Sequence, residues 1–208
     1  MARSLDDLPP CAALAEIARD FHARGFMLGT AGNLSARADA EHFWITASGM
    51  PKGRLDADDF LLVRAHDGAV IESARPALKP SAETAIHAAL YLRFADAGAV
   101  LHGHSINACL ATDRAKRDAK TLRLPPLEMV KGFDVWEQNP RVDLPLFANH
   151  LDVARVAREV TARFRKQAPK LTALLVRGHG PTVWGRGVQE AYNRFEVLEF
   201  LLGYLARR

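Results

Sequence analysis

The chain has little of what usually decides a protein's class at sight. Only 2 cysteines occur in 208 residues, and Cys11 and Cys109 stand apart. With no Cys-x-x-Cys pair, neither a disulfide framework nor a thiolate zinc site is encoded. Cys109, between Ala108 and Leu110, reads as a small buried hydrophobe. No run approaches the roughly 20 apolar residues that a membrane span needs. Residues 1–10 contain no apolar signal core. Lysine and arginine never gather into a block resembling a nucleic-acid arm, and the formal net charge is only +4. Repeats, low-complexity tracts and linkers are missing as well. These absences lead us to expect one domain in a cytoplasmic, reducing compartment, without a nucleic-acid or membrane partner.

What remains is an ordinary globular mixture, 49% hydrophobic and 25% charged, long enough for a substantial core. Leu14, Ile17, Ala18 and Phe21 predict a helix over 12–24, stopped by Gly25. Strands are predicted at 34–37 and 42–46, then a hairpin of 60–64 and 69–72 around Asp67-Gly68. Ser81 reads as the N-cap of a helix to about residue 92, and Ser105 as the cap of a shorter one. Segments 144–147 and 172–176 look like strands, 152–166 an amphipathic helix and 188–205 a long helix. Residues 124–131 give no assignment. The whole is an α/β domain over 1–208 with a sheet that is at least partly antiparallel.

Against this background three histidines stand out. His102 and His104 follow the apolar run Gly98-Ala99-Val100-Leu101, and His179 follows Ala173-Leu174-Leu175-Val176. Side chains i and i+2 of an extended strand share a face, so His102 and His104 reach one point in space. A distant third imidazole completes the layout of a catalytic zinc or similar divalent metal with an open fourth position.

Three short loops, Gly32-Asn33, Ser48-Gly49 and Ser81-Ala82, suit an anion, although each alone is a common turn. Nearby Lys52, Arg54, Arg75 and Lys79 either steer an anionic substrate or form a solvated face. Two carboxylates compete for acid–base duty. Glu83 opens the Ser81 helix, where it also complements the dipole. Glu128 sits between Leu127 and Met129-Val130, where desolvation would raise its pKa; a salt bridge to Lys131 is the alternative. His22, His42, His66, His87 and His150 read as structural or exposed, with His87 also able to lie near the site.

Five motifs now read together: Gly29-Thr30-Ala31-Gly32-Asn33-Leu34-Ser35, Ile45-Thr46-Ala47-Ser48-Gly49, Lys79-Pro80-Ser81-Ala82-Glu83-Thr84, Val100-Leu101-His102-Gly103-His104-Ser105 and Arg177-Gly178-His179-Gly180. In this order they resemble the class II aldolase/adducin family. The resemblance implies a central, largely antiparallel sheet flanked by helices, in a homo-oligomer, commonly a tetramer, with sites at subunit contacts. It implies one zinc ion per chain on His102, His104 and His179, and a sugar phosphate held by Gly32, Asn33, Ser48, Gly49 and Ser81. Residues 127–132 and 175–185 are most similar to the family's dehydratase branch, whose acid–base glutamate matches Glu128. Glu83 matches the catalytic glutamate of the aldolases, with contact to the metal in the absence of substrate as the alternative. Pro181 departs from the aliphatic residue usual after the glycine. An aldolase or 4-epimerase is the alternative reading; a non-catalytic module would have a broken histidine triad.

Overall fold

The computed structural model describes residues 4–208. Its centre is a nine-stranded sheet: β1 (Asn33–Arg37), β2 (His42–Thr46), β3 (Phe60–Arg64), β4 (Val70–Ser73), β5 (Ala99–His102), β6 (Thr121–Arg123), β7 (Asp143–Phe147), β8 (Ala173–Val176) and β9 (Gly180–Gly185). The strands lie in the order β4-β3-β2-β1-β5-β9-β8-β7-β6. All neighbours are antiparallel except β7 and β8. That parallel pair is joined by the helix α4 (Val153–Lys166), since parallel strands need a crossover. The other helices are α1 (Pro10–Ala23), α2 (Thr84–Arg93), α3 (Ile106–Asp113) and α5 (Val188–Arg207).

Strand alternation divides the interior into two layers. Leu34, Leu101, Leu175 and Val183 face α1, α3 and α5, while Val100, Leu174, Val176 and Trp184 face α2 and α4. The sheet is therefore covered on both sides, which explains the unbroken apolar runs of β5 and β8. The amphipathic pattern of 152–166 buries Val156, Val160 and Phe164, and Asp152 caps the helix by accepting from the Arg155 amide. On the other layer Phe21, Phe26 and Phe195 pack together, with Phe21 and Phe195 centroids 4.3 Å apart. No helix among the described residues is long and apolar enough to cross a membrane.

Several local expectations need correction. Helix α2 begins at Thr84, and Ser81 does not cap it: its hydroxyl accepts from the Glu83 amide in a turn that precedes the helix. Ser105 does cap α3, accepting from the Ala108 amide at 3.2 Å. β5 ends at His102, leaving His104 two residues beyond the strand. β6 and β9 had no counterpart in the sequence reading, although β9 lies near the middle of the sheet. Cys109 is half-buried and not a core residue.

Phe164 joins α4 to the sheet through Trp184 and Phe147, with ring centroids 6.0 and 5.9 Å away. Phe164→Ala is expected to destabilise the fold by about 3–5 kcal/mol, the cost of a large cavity in a buried aromatic cluster. A urea unfolding midpoint unchanged from wild type would contradict this packing.

Candidate metal centre and its loops

The site grows from one row across three strands. Asn33 on β1 pairs with His102 on β5, and His102 pairs with Thr182 on β9. His102 is buried, and its Nδ1 lies 3.0 Å from the Pro181 carbonyl and 3.1 Å from Thr182 Oγ1. A carbonyl only accepts, so Nδ1 carries the proton and Nε2 turns its lone pair toward the site. His104 follows from the loop after β5, and His179 comes from the turn between β8 and β9. Glu83 arrives from the opposite side, in the turn before α2.

Glu83, His102, His104 and His179 each offer one donor atom, and the four atoms lie within 4.8 Å of one another. His102 Nε2 and His179 Nε2 are 3.1 Å apart; Glu83 Oε2 is 3.3 Å from the first and Oε1 3.3 Å from the second. A tetrahedral zinc site with bonds of about 2.0–2.1 Å has donor–donor edges of about 3.3–3.4 Å. The spacing and the donor types therefore suit a divalent metal, with Glu83 as a fourth donor beside the three predicted histidines.

The electrostatics agree. Burial lowers the pKa of His102 and pushes that of His104 down to about 4, which favours the neutral, ligating form of each ring, while the Glu83 carboxylate opposes that shift. Burial works against the charge on Glu83, but His102, His179 and the Asn33 amide outweigh it and hold the carboxyl well below its usual range.

The approach of the two histidine loops requires glycine on both sides. A Cβ on Gly180 would collide with the Gly103 carbonyl oxygen and lie 3.1 Å from His104 Cα. A Cβ on Gly103 would lie 2.8 Å from the Phe195 ring and 3.1 Å from the Phe26 carbonyl.

The three anion loops are brought together. Ala47 bridges Pro80, the Ser48 amide donates to the Lys79 carbonyl and the Ser81 amide donates to the Thr46 carbonyl. Gly49 faces open space, with a left-handed φ of 74°. Gly32 is buried against Met27 and the His102 carbonyl. Asn33 is buried, and its side chain is already engaged: the amide nitrogen donates to Glu83 Oε2 and the oxygen accepts from His87. Lys52 is not on a solvated face. It is buried under the second loop, donating to the Ala47 and Met50 carbonyls, and burial pushes its pKa down to about 8. Arg75 instead pairs with Asp59 at 2.8 Å.

Glu128 does not join the four-donor cluster. It starts a 3-10 turn (Glu128–Phe133) packed on α5, its side chain is 81% exposed, and Lys131 Nζ donates to it at 2.5 Å. That hydrogen bond and the lysine charge hold its carboxyl below the ordinary range. The apolar neighbours do not desolvate it, because the turn buries Val130 and Phe133 and leaves Glu128 and Met129 outside. The salt bridge to Lys131 was the correct local alternative.

Two contributors are only partly legible in the sequence: Glu83 reads as the base or as a metal contact, and His87 as a structural histidine able to lie near the site. The metal-donor geometry of Glu83 was hidden because it depends on a turn meeting strands distant in sequence. His87 had a signal in its spacing: Glu83, His87 and Tyr91 recur every four residues, one helical face.

His102→Ala, His104→Ala and His179→Ala are expected to lose metal content together. Gly180→Ala, which touches no ligand atom, is expected to do the same by separating the two loops. Full metal occupancy in the Gly180→Ala protein, measured by plasma emission spectroscopy, would contradict the close approach.

The model for the class II aldolase and adducin N-terminal domain matches residues 12–205. Among curated proteins, the chain is 46% identical over 196 residues to the methylthioribulose-1-phosphate dehydratase of Microcystis aeruginosa, covering 94% of each. It is 39% identical to the dehydratase of the same name from Leptospira biflexa, covering 94% of this chain and 95% of that one. Among solved structures, L-fuculose-1-phosphate aldolase from Thermus thermophilus aligns with a TM-score of 0.73 and 26% identity, covering 95% of this chain and 93% of that one. The chain belongs to the class II aldolase and adducin family, and its fold is that of the class II aldolases.

Proposed function

We propose that the protein dehydrates 5-(methylthio)ribulose 1-phosphate to 5-(methylthio)-2,3-dioxopentyl 1-phosphate, a hydro-lyase step of methionine salvage in the cytoplasm. A lyase of this family acting on a sugar phosphate is the broader identity; the substrate and the dehydration are the proposal. The observation that carries it is the near-full-length likeness to two dehydratases in a chain with a complete donor cluster. A zinc ion, one per chain on His102, His104 and His179, would supply Lewis-acid polarisation of a carbonyl oxygen.

The remaining chemistry belongs to the chain. The loops of Gly32, Asn33, Ser48, Gly49 and Ser81 hold the phosphate, with the Ser48 and Ser81 hydroxyls as donors because the amides of those two residues are already bonded to the Lys79 and Thr46 carbonyls. Asn33 retains one amide hydrogen for it beyond the one given to Glu83. The buried Lys52 ammonium adds positive charge beneath the second loop. Glu128 removes the C3 proton, and the electron pair delocalises into the C2 carbonyl. Those electrons then expel the C4 hydroxyl, which leaves as water after taking a proton. The resulting enol ketonises at C3. The carbon chain stays intact.

Exposed Glu128 serves this reaction best from a neighbouring copy in a homotetramer. Support comes from the surface around it: Met129 and Trp136 are exposed beside it, and α3 and α5 expose Ile106, Leu110, Phe200 and Tyr204. Met129, Phe200 and Tyr204 line one groove, and exposed apolar groups gathered in this way are unusual for a lone chain. Glu83 favours a second reading. A carboxylate touching the histidine cluster is placed to serve an aldolase or 4-epimerase, where the C3–C4 bond is the one that changes.

Product analysis separates the two. Metal-loaded protein incubated with the proposed substrate is expected to yield one product lighter by one water. Two smaller carbonyl compounds would establish the aldolase. Glu128→Gln is expected to keep its metal and lose on the order of 10²-fold or more in rate, the scale of a general base. Co-assembling Glu128→Gln with His102→Ala chains is expected to restore activity at mixed sites. No recovery in verified mixed oligomers would overturn the role across subunits.

A further inference from the structure

A chain of buried hydrogen bonds runs from Glu83 into the layer beneath α2. Asn33 Nδ2 donates to Glu83 Oε2, His87 Nε2 lies 2.6 Å from Asn33 Oδ1, Ser35 Oγ lies 2.6 Å from His87 Nδ1, and Tyr91 Oη lies 2.8 Å from Ser35 Oγ. Asn33, Ser35, His87 and Tyr91 are all buried. Asn33 and Ser35 occupy alternate positions on one face of β1, and His87 and Tyr91 occupy one face of α2.

The direction of every bond in this chain follows from its end. The carboxylate of Glu83 only accepts, so the Asn33 amide must present its nitrogen there and its oxygen to His87. His87 Nε2 must then carry the ring proton, and Nδ1 must accept from the Ser35 hydroxyl. Ser35 has a weaker choice, the Val100 carbonyl at 3.4 Å, and the 2.6 Å bond to His87 wins. Its oxygen then accepts from Tyr91. A flipped Asn33 would set oxygen against oxygen at Glu83 and nitrogen against an N–H at His87.

We propose that Tyr91, Ser35 and His87 form a positioning chain that locks the Asn33 amide with its nitrogen toward Glu83, and so holds that carboxylate in the fourth donor place. None of the three touches the donor cluster; they act through Asn33. Outer hydrogen bonds of this kind typically matter 10–100-fold in metal affinity. The inference rests on the metal centre and is independent of which sugar phosphate is turned over.

The test measures zinc dissociation constants by chelator competition for wild type, His87→Phe, His87→Gln, Ser35→Ala and Leu90→Ala. Leu90 is a buried α2 residue whose side chain belongs to the apolar layer, so Leu90→Ala controls for lost stability alone. His87→Phe fills the same space without a donor and is expected to weaken zinc binding by about 10–100-fold. His87→Gln restores a donor and is expected to recover most of that loss. Ser35→Ala is expected to show a smaller weakening and keeps the test alive if His87→Phe does not fold. Leu90→Ala is expected to lower the melting temperature while keeping wild-type zinc affinity. Nitrogen-15 NMR of the zinc-loaded protein is expected to find His87 neutral with its proton on Nε2. Wild-type affinity in folded His87→Phe or in Ser35→Ala, a loss in Leu90→Ala equal to theirs, or a proton on Nδ1 would each overturn the chain. Failure of wild type itself to bind zinc would instead overturn the metal centre.

Discussion

The site depends on how closely two stretches of backbone approach, at Gly103 and Gly180. There is no room for a side chain between the loop after β5 and the start of β9. That contact fixes the separation of His102 and His104 from His179, residues more than seventy positions apart in sequence. A shift of even one methyl group would exceed the tolerance of metal–nitrogen bonds, which are held to within about 0.2 Å. The aromatic cluster of Phe21, Phe26 and Phe195 backs the same contact from the far side, since Phe195 lies against Gly103. Core packing and ligand geometry are one constraint here.

The sheet supplies the second half of the arrangement. Antiparallel register sets Asn33, His102 and Thr182 side by side on β1, β5 and β9. Each of the three has a distinct duty toward one imidazole or one carboxylate. Thr182 and the Pro181 carbonyl orient His102, and Asn33 orients Glu83. A slip of one residue in either pairing would send all of these groups to the opposite face. The Ala47–Pro80 bridge then carries two anion loops to the same end of the sheet.

Much of this was legible in the sequence, and what was not has physical reasons. The apolar periodicities of α1, α4 and α5 and the runs of β5 and β8 reflect burial directly. His102, His104 and His179 were recognisable because their residue type and spacing are rare together. β9 was not, because Gly180, Pro181 and Gly185 punctuate it in a way that normally argues against a central strand. Pro181 is accommodated because its carbonyl, not an amide, is what the site uses. Glu128 misled for a related reason. Apolar neighbours in sequence desolvate a carboxylate only if the backbone turns them the same way, and a 3-10 turn does not. For Lys52 the solvated-face alternative failed: the lysine is buried because two carbonyls of its own loop accept hydrogen bonds from its ammonium.

The donor count raises a final point of chemistry. Catalytic zinc sites keep a position open for substrate, whereas closed four-donor sites are structural. Glu83 beside three imidazoles makes four potential donors, so an ion held by all four would have no open position. On the proposed reading, a sugar oxygen would reach the ion only if Glu83 withdrew or the coordination shell expanded. Withdrawal has a definite cost, because Glu83 would leave the Asn33 amide and two histidine contacts while remaining largely buried. The substrate must offset that cost with interactions of its own. On the proposed reading, the second Asn33 amide hydrogen, which is not given to Glu83, would offer one such interaction. On that reading the residue that grips Glu83 would also sense the anion. If the loops hold the phosphate as proposed, loading them and releasing Glu83 would share the Asn33 side chain and so link substrate binding to the opening of the site.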